Sequence, residues 1–389
     1  MRRTADQGQQ SLLPLLCVCA ALLLAACGCA ENWPTYMSDL ARSGVSEEAL
    51  TWPLQEHWTF KSPVPPQNAW ADPQHVPLEG YLERPRLRFD DAFHVAVADG
   101  LLYFGSSADN KLYCVDSATG QVRWTYFTGG PIRLAPMVDR GRVYFGSDDG
   151  FAYCLDAATG GLIWRCQGGP TDERVIGHGR MISLWPVRTG VVVDDGIAYF
   201  AAGIFPGERI YLHAVKASDG SRVWLNDTLS DRSSGRDGFS PQGYALASKT
   251  TLFLAAGRNM PAAFSRTDGK WMYQPGGNWR SVGIVGGTYA LLEGDKLYSG
   301  TEAQVAGIEQ TSGKVGFAWN PGKRLLVTPA VSYMLNDTGI SALDRVKYPD
   351  LSRLRKGLES KRSSLSSASP RPKDYREQLK QIDDDLVAN

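Results

Sequence analysis

Short runs in which apolar and polar residues alternate recur along most of the chain, separated by Asp-Gly, Thr-Gly and other glycine-bearing turns. A period of two over four to six residues predicts strands with one buried face, and the intervening turn residues supply the positive φ that tight hairpins require. The alternation is itself repeated. Val95 to Trp124 reads VAVADGLLYFGSSADNKLYCVDSATGQVRW, and Val138 to Trp164 reads VDRGRVYFGSDDGFAYCLDAATGGLIW. Aligned on their tryptophans, 40 residues apart, the two share YFGS, a Tyr-Cys pair and ATG. A third copy runs from Gly190 to Trp224 and a fifth from Gly287 to Phe317, which ends TSGKVGF. The fourth, Tyr244 to Trp271, is weaker, because TDGKW places its tryptophan two residues after the glycine instead of four. A sixth begins at Leu325.

Units of about 40 residues carrying four strands each are the signature of an all-β β-propeller, in which every blade covers its neighbour. The element Asp-x-x-Thr-Gly-x-x-x-Trp at Asp116 to Trp124 and at Asp156 to Trp164 resembles the tryptophan-docking motif of pyrroloquinoline-quinone (PQQ) type propellers. The resemblance covers residues 90–343. It assigns Trp124, Trp164, Trp224, Trp271 and Phe317 an architectural role, each large ring docking between adjacent blades with an indole N–H, where there is one, on a carbonyl.

The flanks depart from the unit. Residues 1–26 read as a signal peptide: Arg2 and Arg3 precede the apolar run from Ser11 to Ala26, too short to span a bilayer of ~30 Å comfortably. Leu24-Ala25-Ala26-Cys27 resembles the bacterial lipobox, which implies lipidation at Cys27 and an outer-membrane lipoprotein; cleavage after Ala30 is the alternative and releases a periplasmic or secreted chain. Residues 27–89 form an extension. Its Asn32-Trp33-Pro34 and Ala41-Arg42-Ser43-Gly44 are similar to the leader of secreted PQQ-like repeat proteins, and Gln55 to Phe60 looks like an outer strand without a blade, able to close the ring against the last one. From Asp344 the period changes. Leu351, Leu354, Leu358 and Leu365, then Leu379, Ile382 and Leu386 after a break at Ser366 to Pro372, predict a charged helical hairpin over 344–389 that packs on the propeller or interrupts a truncated one.

Lys+Arg 41 against Asp+Glu 41 leaves no net charge, which argues against nucleic acid as a partner. Of seven cysteines, four lie before residue 30, so Cys114, Cys154 and Cys166 cannot form a disulfide scaffold. Cys114 and Cys154 share one blade position and read as small core residues. His57, His75, His94, His178 and His213 have no ligand spacing, and no metal site is expected. His178 sits in a long insertion, 168–183, between Arg174 and Arg180.

Propeller geometry gathers inter-strand loops around a central funnel. The residues expected there are Arg133, Trp185, Arg188 and Gln242, with Asp109, Asp148, Asp149 and Arg258 from the second loop set. Aromatic and convergent polar groups of this kind suit a small ligand or peptide, while the bland reading has them satisfying turn carbonyls and amides. The chain also looks like the superfamily of the lipoprotein subunit of the outer-membrane β-barrel assembly machinery. That resemblance implies a non-enzymatic binding or scaffold module of the cell envelope, without cofactor, whose partner is an envelope protein or small ligand. The competing class is a PQQ-dependent quinoprotein dehydrogenase of alcohols or sugars, which implies PQQ, calcium and, in most members, adjacent cysteines. No Cys-Cys pair is present.

Overall fold

The structure is a computed structural model that describes residues 31–70, 89–231, 238–257, 259–276, 290–301, 304–319, 324–336 and 338–388. Residues 1–30, with the signal segment and Cys27, lie outside the described residues, as do His75 and Arg258. Among those described, five antiparallel four-stranded sheets follow one another in chain order, and a sixth has three strands. They are the blades of a β-propeller.

Blade 1 comprises β1 (Val95–Ala98), β2 (Leu101–Gly105), β3 (Lys111–Asp116) and β4 (Val122–Phe127). Blade 2 comprises β5 (Met137–Asp139), β6 (Arg142–Gly146), β7 (Phe151–Asp156) and β8 (Leu162–Gln167). Blades 3, 4 and 5 span 192–226, 246–273 and 290–319, and blade 6 spans 324–344. The alternation is realised at the rim, where every second residue of β4 faces solvent, whereas β2 and β3 have no exposed residue and bury six of their eleven. One apolar cluster lies between each pair of blades: Leu112, Cys114, Phe145 and Leu155 between blades 1 and 2, and Phe200, Cys154 and Val215 between blades 2 and 3.

Two local devices repeat. In the turn after β3, Asp116 Oδ1 accepts the Ala118 and Thr119 amides and the Thr119 hydroxyl, and Gly120 follows at φ +71°. Asp156 does the same for Ala158 and Thr159, with Gly160 at φ +72°. The carboxylate organises the turn and the glycine takes the left-handed backbone that a side chain would strain. A register shift then falls at the same place in each complete blade, beside Cys114, Cys154, Ala214, Ala263 and Gly307. Such a bulge bends the outer strand and re-aims its side chains.

The aimed residue is the docking aromatic. Trp124 Nε1 donates to Ala157 O at 3.1 Å, Trp164 Nε1 to Ala217 O at 3.0 Å and Trp224 Nε1 to Arg266 O at 3.0 Å, each on the next blade. Trp124, Trp164 and Trp224 lie against Gly160, Gly220 and Gly269, the turn glycines of those blades. In blade 4 the residue in this position is Tyr273, not Trp271. Tyr273 stands opposite Ala263, lies against Gly313 and donates to Gln310 O at 2.5 Å. Trp271 instead meets Phe239 and Phe264 edge-on. The aromatic is set by its distance of four residues from the glycine, which Tyr273 satisfies. Phe317 occupies the same register position, opposite Gly307.

Residues 55–60 belong to no strand, and no pairing with blade 6 is present among the described residues. Trp58 nevertheless acts as a docking aromatic for blade 1. Its Nε1 donates to Ser117 O at 2.9 Å, and its ring covers Gly120. The leader ahead of it strings inner strands together: Trp33 pairs with Val97, Pro34 O accepts Val138 N, Leu40 O accepts Ala247 N and Ala41 O accepts Leu292 N. Blade 6 ends at Gly339–Asp344, and where a fourth strand stands in the other blades the chain enters helix α1 (Tyr348–Ser367), followed by α2 (Tyr375–Ala388). The leucine stripe is split. Leu358 and Leu365 are buried, Leu351 and Leu354 are exposed, and Arg362 ties the helices together at 2.6 Å from Asp383.

Candidate functional site

Three of the residues expected at the funnel meet in one buried network. Arg188 clasps Asp148 with both ends of its fork, Nε to Oδ1 at 2.7 Å and Nη2 to Oδ2 at 2.8 Å. Arg133 Nε adds a third bond to Asp148 Oδ2 at 2.6 Å, and its Nη1 reaches Asp90 Oδ2 at 2.5 Å. All four side chains are buried. Burial pushes the Asp148 carboxyl up, but two guanidinium groups outweigh it and hold its pKa below the ordinary value. Asp90 has one such partner, and there burial prevails and raises the pKa.

Gln242 joins through an intermediary. Its Oε1 accepts Trp70 Nε1 at 2.8 Å, and the Trp70 ring lies under the Arg188 guanidinium at 5.6 Å. Trp70 belongs to an extended segment that enters the funnel. Ala69 N donates to Asp90 Oδ2, Gln67 N to Ser107 Oγ, and Gln67 O accepts from Arg133 Nη1 at 2.7 Å. Closer to the leader, Tyr36 stacks flat on Tyr244 at 3.7 Å, with His94 edge-on to both. Arg42 is fully buried there, bonded to Thr35 Oγ1 and to the carbonyls of Tyr36, Asp39 and Ala245. Burial lowers its pKa to about 10.

The other expected residues turn to local partners. Asp149 accepts from Gly129 N and from the Tyr153 hydroxyl, fixing its own loop. Asp109 accepts from the Tyr113 hydroxyl at 2.5 Å and pairs with Lys111 at 3.2 Å. The Trp185 indole is buried near Tyr211 and donates to Glu208 O at 2.6 Å, between blades 2 and 3. Cys114 and Cys154 are buried free thiols whose pKa burial raises to about 11, so neither is a ready nucleophile; Cys166 is also unpaired in disulfide terms. No cluster of three or more metal-ligating side chains occurs among the described residues.

The 168–183 insertion folds as a hairpin, β9 (Arg174–Gly177) and β10 (Arg180–Ser183), with His178 at the tip in the left-handed region, φ +48°. Ile176 and Met181 face each other across it, 80% and 53% exposed, a large apolar pair presented to solvent. Arg180, from the same hairpin, reaches back to Ala108 O, Asn110 Oδ1 and Gln67 Oε1. Between hairpin and segment lies a cavity of about 300 Å³ lined by Gln67, Asn68, Trp70, Arg133, His178 and Arg180.

Successive four-stranded blades joined by Thr-Gly turns and docking aromatics define a PQQ-like β-propeller. A family model described as outer membrane protein assembly factor BamB matches residues 56–315, well over half of the chain, and the chain belongs to that family. Among solved structures it is similar to BamB from Moraxella catarrhalis, at 17% identity over 68% of this chain and 81% of that one with a TM-score of 0.47. It is also similar to a europium-containing methanol dehydrogenase, at 14% identity over 74% of this chain and 58% of that one, TM-score 0.53. A quinohemoprotein alcohol dehydrogenase from Comamonas testosteroni matches at 15% identity over 85% and 54%, TM-score 0.49. At 14% identity the likeness to the methanol dehydrogenase shows a shared fold and nothing finer. No curated protein sequence matches the chain.

Proposed function

We propose that this chain is a non-enzymatic binding and scaffold module of the bacterial cell envelope, exported, held at the outer membrane by a lipid on Cys27 and working in outer-membrane protein assembly. The observation that carries the reading is the hairpin β9–β10, which stands at the funnel rim and offers Ile176 and Met181 as an exposed apolar pair. Apolar pairs on a projecting element are a common means of docking a protein partner. Membership of the assembly-factor family supports the same direction.

The residues on the axis fit a quinone with its calcium poorly. Tyr36 and Tyr244 stack directly on each other at 3.7 Å, leaving no gap between them for a flat ring, and the funnel carboxylates Asp90 and Asp148 are engaged by arginines. The test is a photocrosslinker in place of Ile176 in living cells. A discrete adduct with an outer-membrane assembly protein, lost in Met181→Asp, is expected. Absence of the adduct, together with calcium-dependent dye reduction on adding the quinone, would favour the dehydrogenase class instead.

A further inference from the structure

We infer that the cavity between Gln67–Trp70 and the hairpin β9–β10 is a binding site for a carboxylate. Charge is the first reason. Among the described residues around the cavity and the network behind it stand Arg133, Arg180, Arg188 and Lys111 against Asp90, Asp109 and Asp148, an excess of one cation, with Lys111 paired to Asp109. The excess resides at Arg180. Its hydrogen bonds go to neutral oxygens of Ala108, Asn110 and Gln67, and no carboxylate lies within 4 Å of it among the described residues. Neutral oxygens satisfy donors without neutralising the charge, and burial with the nearby Arg133 cation lowers the Arg180 pKa.

The second reason is an unused donor. Arg133 is 7% exposed and lines the cavity; its Nε and Nη1 are bonded, and its Nη2 makes no hydrogen bond among the described residues. A guanidinium N–H held in place beside a cavity matches one oxygen of a carboxylate, with Arg180 facing the same space. The third reason is the remaining wall. The Trp70 indole offers a flat apolar surface, and the Gln67 and Asn68 amides offer both donors and acceptors. At about 300 Å³ the space is at the small end for ligand sites and suits a short organic acid or a single acidic side chain. The site uses His178 and Arg180 of the hairpin and not the apolar pair Ile176 and Met181, so it does not rest on the scaffold reading.

The experiment is calorimetric titration of the full chain at constant ionic strength in chloride. The probes are benzoate, succinate and a capped Gly-Glu-Gly peptide with its Gln counterpart. Saturable binding of a free carboxylate, or of the Glu peptide but not the Gln peptide, is expected; the first result identifies a small-molecule source and the second a protein one. Arg180→Gln should weaken binding at least tenfold while circular dichroism and a cooperative thermal transition show the chain still folded. Asn68→Asp, which places a competing carboxylate in the cavity, should abolish it. No saturable binding by any probe overturns the inference. So does binding by either variant within twofold of the parent chain, or phosphate bound as tightly as the carboxylates.

Discussion

Gly141 and Gly160 both sit at φ +72°, but a Cβ on Gly141 would meet nothing within 4 Å, whereas one on Gly160 would lie 2.7 Å from Cδ2 and Cε3 of Trp124. The pair separates backbone strain from blade docking. Gly141→Ala carries only the left-handed penalty of an L-residue, about 1 kcal/mol. Gly160→Ala carries the same penalty and must also displace the indole by several tenths of an ångström. That ring is held by Nε1 on Ala157 O at 3.1 Å and lies beside Tyr103, so displacement sacrifices a hydrogen bond worth ~1 kcal/mol and overpacks the joint by ~1–2 kcal/mol. The total expected is about 3–4 kcal/mol for Gly160→Ala against about 1 for Gly141→Ala. At ~2–4 °C per kcal/mol for domains of 150–250 residues, the two melting temperatures should differ by at least about 4 °C. Urea unfolding followed by tryptophan fluorescence measures the same difference at 25 °C. Equal losses within about 0.5 kcal/mol would refute docking as a stabilising contact between blades. A second check is Trp124→Ala combined with Gly160→Ala, which should cost less than the two single changes together because the clash is gone.

Asp148→Asn should cost about 3–5 kcal/mol at pH 7, because Arg133 and Arg188 lose the carboxylate that balances them in the interior; a change below 1 kcal/mol in urea unfolding would contradict the network. His213 is buried, donates from Nε2 to Gly168 O at 2.8 Å and has its pKa lowered to about 4, mainly by burial. Unfolded chains therefore bind a proton that the folded state refuses, so stability present above pH ~6.5 is lost as pH falls toward 4, by about 3 kcal/mol. His213→Gln keeps a donor without titrating and should remove that part of the acid slope; superimposable pH profiles would count against the assignment. Arg42→Met strands the oxygens of Thr35, Tyr36, Asp39 and Ala245, for an expected ~2–4 kcal/mol, and amide exchange at Val138, Ala247 and Leu292, which bond the leader, should accelerate more than at rim strands. Uniform acceleration would show that the leader does not unfold as its own unit.

The blades were legible because each unit states its own geometry. Asp116 and Asp156 write the turn, Gly120 and Gly160 write its handedness, and the aromatic four residues later writes the joint. What misled was residue type: in the fourth blade tryptophan is more conspicuous than tyrosine, yet Trp271 falls two residues after Gly269 and Tyr273 falls four after it. Spacing from the glycine fixes which side chain faces the next blade, since a shift of two along a bulged strand moves the ring from one joint to another. The same rule explains the cysteines. Cys114 and Cys154 stand opposite Trp124 and Trp164 where Ala214, Ala263 and Gly307 stand in the other blades, and what these share is small size beside a large ring.

The funnel was legible only in part, for a reason that lies in the repeat itself. Loop position along a blade says how far a residue is from the axis and nothing about which way it turns. Asp148 and Asp149 are neighbours, yet one faces two arginines and the other caps Gly129 and Tyr153. Trp185 is drawn away from the axis because Gly169 leaves room for its ring and Glu208 O accepts its N–H. Asp90, Gln67 and Trp70 precede the first repeat unit, which begins at Val95, so no periodicity announces them; Trp70 meets Gln242 across 172 residues. A basic pair such as Arg133 and Arg188 on converging loops does carry one usable signal, because buried arginines require an anion. Asp148 answers that requirement for Arg188 and shares itself with Arg133, Asp90 supplies the second carboxylate, and Arg180, with Asp148 and Asp109 acting on it only from a distance, is the cation that no carboxylate among the described residues meets within 4 Å.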